Sequence, residues 1–144
     1  MSKSKPQDFA VDTSVFVAAL SAWHPDHVAA RSVMSRRPAS IAHVLVETFS
    51  VLTRLPAAQR VAPRLAAEAI RRSVHHPPVT MPGDAIADFL GHLCGLDIAG
   101  GSTYDALIAE TARRHGMTLY SLDRRARPIY ASIVADVVWI GDPL

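Results

Sequence analysis

A single cysteine, Cys94, stands in the 144-residue chain, which excludes an intrachain disulfide and a cysteine-based zinc site. It falls in the apolar run Phe89-Leu90-Gly91-His92-Leu93-Cys94, whose helical pattern predicts a buried small hydrophobe rather than a nucleophile. Lysine is almost as scarce. Of the 15 basic residues only Lys3 and Lys5 are lysines, and the rest are arginines. Arginine is the better fork for phosphate, although a GC-rich genome leaves the same bias. A strong excess of one charge is also missing: the formal net charge is +2 and the sequence pI about 9.0, too little alone to imply a nucleic-acid partner. No uninterrupted apolar run is long enough to span a bilayer. The N-terminus carries two lysines but no signal-peptide core, because the first apolar run contains Asp12. The expectation is a cytoplasmic protein without membrane contact. Repeats, low-complexity segments and interior linkers are absent too.

What is present is an ordinary globular composition, 49% hydrophobic and 19% charged, on a chain long enough for one well-cored domain. A polar tail over 1–7 precedes a single domain over 8–144. Phe9-Ala10-Val11 reads as a strand buried on both faces, with Thr13 and Ser14 able to cap the helix that follows to Leu20. A second helix, capped by Asp26, runs through Val28, Ala29, Ser32 and Val33 to Arg36-Arg37, where Pro38 ends it. Strands are predicted over Ala39–Ala42, around Val79-Thr80, over Met117–Leu122 and over Val137–Ile140. Helices are predicted over Val44–Leu55, over Arg64–Val74 with Leu65, Ala69 and Ile70 inward, from Gly83-Asp84 to Gly95, and over Thr103–His115 with Gly116 as its C-cap. A short basic helix spans Arg124–Tyr130. Strands alternating with helices predict an α/β fold with a parallel sheet.

Four acids stand out against this pattern. Asp12 falls at the carboxyl end of the first strand, where open α/β sheets bind ligands, although a helix-capping aspartate would sit there too. Glu47 lies in the apolar helix segment Val44-Leu45-Val46-Glu47-Thr48-Phe49 with no Lys or Arg four residues away. A carboxylate leaning toward the packed side needs a partner, either an arginine such as Arg54 or Arg124, or a cation. Asp105 is in the first turn of its helix, a position the macrodipole favours by itself. Asp123 ends the strand Thr118-Leu119-Tyr120-Ser121-Leu122 as Asp12 ends its own. Carboxylates gathered in one crevice repel unless a divalent cation neutralises them, and all-oxygen ligation suits Mg²⁺ or Mn²⁺. Such sites carry phosphoryl transfer or hydrolysis.

The sequence Val11-Asp12-Thr13-Ser14, then Val46-Glu47-Thr48, then Tyr104-Asp105-Ala106-Leu107-Ile108-Ala109, then Leu119-Tyr120-Ser121-Leu122-Asp123 resembles PIN-domain nucleases, and more narrowly the VapC toxins of toxin–antitoxin pairs. The likeness covers almost the whole chain. It implies a parallel sheet of about five strands flanked by helices and a metal-dependent endoribonuclease leaving 5′-phosphate and 3′-hydroxyl ends. It makes Asp12, Glu47, Asp105 and Asp123 the metal-binding and catalytic acids, with Mg²⁺ or Mn²⁺ as cofactor. Thr13 or Ser14, and Ser121, become accessory hydroxyls near the metal or the phosphate. One departure is Arg124-Arg125-Ala126 after Asp123, where the family often has an acid or an aromatic. Arg124, Arg125 and Arg127 are then candidates for flanking phosphates. The resemblance further implies a cognate antitoxin, an RNA substrate and a homodimer, with the apolar faces of Ser14–Leu20 and Val44–Leu55 as candidate contacts.

Other readings are narrower. A haloacid-dehalogenase-type phosphotransferase needs a second aspartate two positions after the first, and Ser14 stands there. His24-x-x-His27 has chelating spacing but no accompanying ligands. Arg113 and Arg114 suit the end of their own helix, and Arg36-Arg37 and Arg71-Arg72 read as plain surface charge. A non-enzymatic PIN-like module that binds RNA or protein, and a PIN nuclease of RNA maturation, remain as alternatives.

Overall fold

The computed structural model describes residues 8–133 and 135–141, so the expected tail over 1–7 lies outside the described residues. Strand β1 (Phe9–Val11) is buried at all three positions, as an apolar strand covered on both faces requires. Strands β2 (Thr118–Ser121) and β3 (Val137–Trp139) complete a parallel sheet in the order β1-β2-β3, with Ala10 opposite Leu119 and Tyr120 opposite Val138.

Among the described residues there are three strands, not about five. The two further strands expected at Ala39–Ala42 and Val79-Thr80 are reduced to two isolated parallel bridges, Ala10 to Ala39 and Ile41 to Val79. The reason is local. A helix begins at Ala42, which leaves only three extended residues, and Pro77-Pro78 before Val79 supply no N–H for a ladder.

Between β1 and β2 lie helices α1 (Thr13–Leu20), α2 (His27–Met34), α3 (Ala42–Thr53), α4 (Pro63–Arg72), α5 (Ile86–Gly95) and α6 (Ser102–Arg114). A short helix α7 (Arg127–Ser132) connects β2 to β3. The core joins Val15, Phe16 and Ala18 of α1 to Ile108, Ala109 and Ala112 of α6, Leu119 of β2 and Tyr130 of α7. A satellite cluster of Val17, Leu52 and Ala66 ties α1, α3 and α4 together. Gly116, at φ +64°, closes α6 in the left-handed conformation expected of a C-cap.

Helical periodicity indicates a face but not its depth, and two residues, Cys94 and Leu65, sit elsewhere than expected. Cys94 is exposed, because Phe89 and Leu93 take the inward face of α5 and Cys94 lies about 100° further round. Leu65 is exposed while Ala66 and Ile70 carry the contact of α4, and Val28 is the most exposed large apolar side chain of α2, which packs through Ala30 and Val33. Arg36 is no plain surface charge: its guanidinium lies 4.5 Å over the Phe9 ring and 5.4 Å from that of Tyr120.

Arg113 and Arg114 both turn back to Glu110, whose buried carboxylate accepts from Arg113 Nη2 at 2.7 Å and Arg114 Nε at 3.0 Å. The Arg113 hydrogen bond holds the Glu110 carboxyl below its ordinary range. Its contribution to stability is therefore full above about pH 4.5 and is lost as the pH falls through the folded value. Glu110→Gln is expected to cost about 1–2 kcal/mol at neutral pH, discounted for the exposed arginine arms. Urea midpoints should register it, with the gap to wild type closing in acid. An equal gap at every pH would mean that packing, not charge, carries the effect.

Candidate functional site

Asp12 is the N-cap of α1 and the most enclosed of the four acids, at 2% exposure. Its extended backbone (φ −84°, ψ 179°) ends β1 and turns the carboxylate toward the carboxyl end of β2. One oxygen accepts from the Val15 N–H at 3.3 Å and from the Ser14 hydroxyl. The other accepts from the Ser121 hydroxyl and from Tyr130 Oη at 2.8 Å. The two serines are bridges as well as donors, since Ser14 Oγ accepts the Leu122 N–H at 2.9 Å and Ser121 Oγ the Asp123 N–H at 3.0 Å. Two strand ends that share no turn are thereby tied through one carboxylate. Burial pushes the Asp12 carboxyl up, and the donors from Ser121, Ser14, Tyr130 and Val15 pull against it.

The other three acids converge from separate elements. Glu47 projects from α3, half-buried, and its hydrogen-bond partner is His43 one turn back at 3.2 Å. Arg54, expected as a possible partner, turns instead to Ser50. Asp123 caps the turn Arg124–Ala126, accepting from the Arg125 N–H at 3.1 Å and Arg125 Nε at 3.3 Å. Asp105 lies in the first turn of α6. Burial first, then the negative charges of Asp123, Glu47 and Asp12, push its carboxyl from 3.8 to about 6, with Arg125 opposing. Asp105 therefore stands within the electrostatic reach of the other three acids singled out in the sequence. The four form one cluster.

A cleft of about 550 Å³ opens beside them, lined by Thr13, Ser14, Glu47, Asp123, Arg124 and Arg125, with His24 and Asp26 on its wall. Of the accessory hydroxyls, Ser14 and Ser121 are committed to Asp12, whereas the buried Thr13 Oγ1 has no hydrogen-bond partner among the described residues. Arg127 does not line the cleft; its guanidinium lies 4.8 Å over the Trp139 ring. His24 and His27 form no chelate, since His24 Nδ1 accepts the Asp26 N–H and a ring nitrogen of His27 bonds the Ala18 carbonyl.

The donor set fits a hard divalent cation. It is all oxygen, and in it the charges of Asp123, Glu47 and Asp12 bear on Asp105, with Arg125 opposing them. Among the described residues no three His, Cys, Asp or Glu side chains are drawn tightly enough together to enclose an ion. Mg²⁺ keeps several waters and takes only one or two carboxylates directly. Tyr130 is the participant that the sequence reading missed. Burial and the Asp12 carboxylate hold its hydroxyl far above the ordinary range, so it is a permanent neutral donor.

The profile of the PIN domain family matches residues 9–131. Ribonuclease VapC40 of Mycobacterium tuberculosis is 38% identical over 128 residues, 89% of this chain and 96% of its own length. Ribonuclease VapC27 of the same organism is 37% identical over 130 residues, 90% of this chain and 94% of its own.

Proposed function

The chain belongs to the VapC-type branch of the PIN-domain family, and from that premise we propose that it is a metal-dependent endoribonuclease, the toxin of a toxin–antitoxin pair. The observation that carries the reading is the gathering of four carboxylates from two strand ends and two helices, where burial and then three like charges push up the carboxyl of Asp105. A site that strains against its own charge is built for a counter-cation. Asp12, Glu47, Asp105 and Asp123 are the residues that would hold Mg²⁺ or Mn²⁺. When bound, the cation makes water more acidic and offsets charge on the phosphate.

The chain's own side chains supply the rest. Ser14, Ser121 and Tyr130 fix the Asp12 carboxylate so that it cannot turn away from the cluster. Arg124 and Arg125, on the cleft wall, face the phosphates on either side of the scissile bond. Hydrolysis adds water across the P–O3′ bond: the hydroxyl joins phosphorus, the proton goes to the leaving oxygen, and the ends are 5′-phosphate and 3′-hydroxyl. One domain over 8–144 carries this activity.

The partners are an antitoxin protein and RNA. No helix among the described residues is long and apolar enough to cross a membrane. Of the two faces considered for a homodimer, α1 is used up in the core, with Val15 to Ala19 all buried. Of the two, α3 carries exposed apolar side chains, Val46 and Phe49, which supports it as the face of the proposed homodimer contact.

Cleavage of total cellular RNA by the purified chain, with Mg²⁺ or Mn²⁺ and with a chelator, tests the proposal. Discrete new 5′ ends that require the metal are expected. Folded protein that makes no cuts under either metal would leave the non-enzymatic binding module as the better account.

A further inference from the structure

An aromatic pair borders the acidic cluster, Tyr104 exposed and His43 partly buried. The rings of His43 and Tyr104 are stacked, with centroids 5.3 Å apart and planes 5° apart. His43 sits one turn before Glu47 on α3 and is hydrogen-bonded to it, and Tyr104 immediately precedes Asp105 on α6. The pair thus joins the two helices that carry acids of the cluster. Tyr104 is 53% exposed, a high value for a tyrosine whose ring is already backed on one face.

A ring held flat and left in solvent beside a phosphodiester-cleaving site has the form of a stacking surface. Every nucleobase offers a π-face, so such a surface binds single strands with little regard to sequence. A base in a duplex is already stacked on its neighbours and gains nothing there, whereas loops and unpaired ends present splayed bases. We propose that Tyr104, backed by His43, is a stacking platform for an unpaired nucleobase of the RNA next to the scissile phosphate. The proposal rests on the ribonuclease reading above. Tyr104 is the specificity-determining residue, favouring unpaired over paired RNA, and His43 is a positioning residue. The alternative is that the stack only braces α3 against α6.

The test is binding of a fluorescein-labelled single-stranded oligouridylate in Ca²⁺, followed by anisotropy, with gel analysis to verify that the RNA stays intact. Tyr104→Ala is expected to raise the Kd by roughly 5- to 100-fold, and Tyr104→Phe and Tyr104→Trp to stay within about 2-fold of wild type. One abasic nucleotide walked along the oligomer should reproduce the Tyr104→Ala loss at a single position in the wild type, and cost Tyr104→Ala itself nothing there. Duplex RNA should not distinguish the variants. If Tyr104→Ala does not fold, the abasic walk on the wild type and the Phe and Trp variants still decide. Unchanged binding by folded Tyr104→Ala, or no abasic position that the wild type senses, overturns the platform alone. A wild type that binds no RNA overturns the ribonuclease reading and the platform with it.

Discussion

Asp105→Asn is expected to lower RNA cleavage by about 100-fold or more while raising the melting temperature of the metal-free protein by about 3 °C. Loss of a partner behind a metal ligand already costs some 10–100-fold in many sites, and loss of a ligand costs no less. The gain in stability comes from the same carboxylate. In the folded chain Asp105 titrates at about 6 instead of 3.8, because burial and three acidic neighbours oppose its ionisation. The folded state therefore holds this proton where the unfolded state has released it, and stability falls as the pH rises through that window. Above it the folded protein carries a charge it is better off without. Relief of that repulsion at a half-exposed group is worth on the order of 1 kcal/mol after solvent screening, or about 3 °C for a chain of this size. The advantage of the variant should vanish toward pH 4 and be complete above pH 6. Mg²⁺ should reverse the order: at about 100 times its Kd it stabilises the wild type by ~2.7 kcal/mol, and the variant by much less. Melting curves with and without Mg²⁺ across that pH range decide the point. A variant that melts below the wild type without metal, or that keeps the full Mg²⁺ shift, would remove Asp105 from the cluster's charge balance.

The legibility of this site in the sequence has a physical origin. Asp12 and Asp123 are visible because an acid at the end of an apolar strand is out of place, and Glu47 because its helix is otherwise apolar. Asp105 is ambiguous by itself, since a helix N-terminus welcomes an acid for local reasons. What no local pattern reveals is the set of side chains that hold the acids. Tyr130 reaches Asp12 across 118 residues of chain, from a short helix whose sequence looks merely basic. His43 is within one turn of Glu47, a spacing readable from the sequence, yet its stacking on Tyr104 depends on how α3 and α6 pack. The fold divides in the same way. The class follows from the alternation of elements, whereas the reduction of two expected strands to single bridges depends on a helix start at Ala42 and prolines at 77 and 78. Leu65 and Cys94 were misplaced because periodicity carries no information on how deeply a short peripheral helix is embedded.

Asp12→Ala should act on stability in the direction opposite to Asp105→Asn, with a loss of about 3–5 kcal/mol and a melting temperature lower by roughly 10 °C or more. Asp12 belongs to the same group of acids, but its surroundings differ. Four donors end on its two oxygens, and Ser121 and Tyr130 among them are almost wholly enclosed. Truncation leaves those donors facing a void, and each unsatisfied buried group costs about 1–3 kcal/mol. Relief of the buried charge offsets part of this, which keeps the total below the sum. Asp12→Asn preserves the volume and one acceptor oxygen, and the serine and tyrosine hydroxyls can rotate to accept from its amide, so about 1–2 kcal/mol is expected. Tyr130→Phe removes a single donor and should cost about 1 kcal/mol. Urea unfolding of the three variants without metal measures the series. The ordering Ala worst, then Asn, then Phe identifies Asp12 as the clamp between β1 and β2, which any cation would find already in place. Were Asp12→Ala as stable as the wild type, the hydrogen bonds around it would be incidental, and the strand ends would be held by packing of Val11, Leu119 and Tyr130 alone.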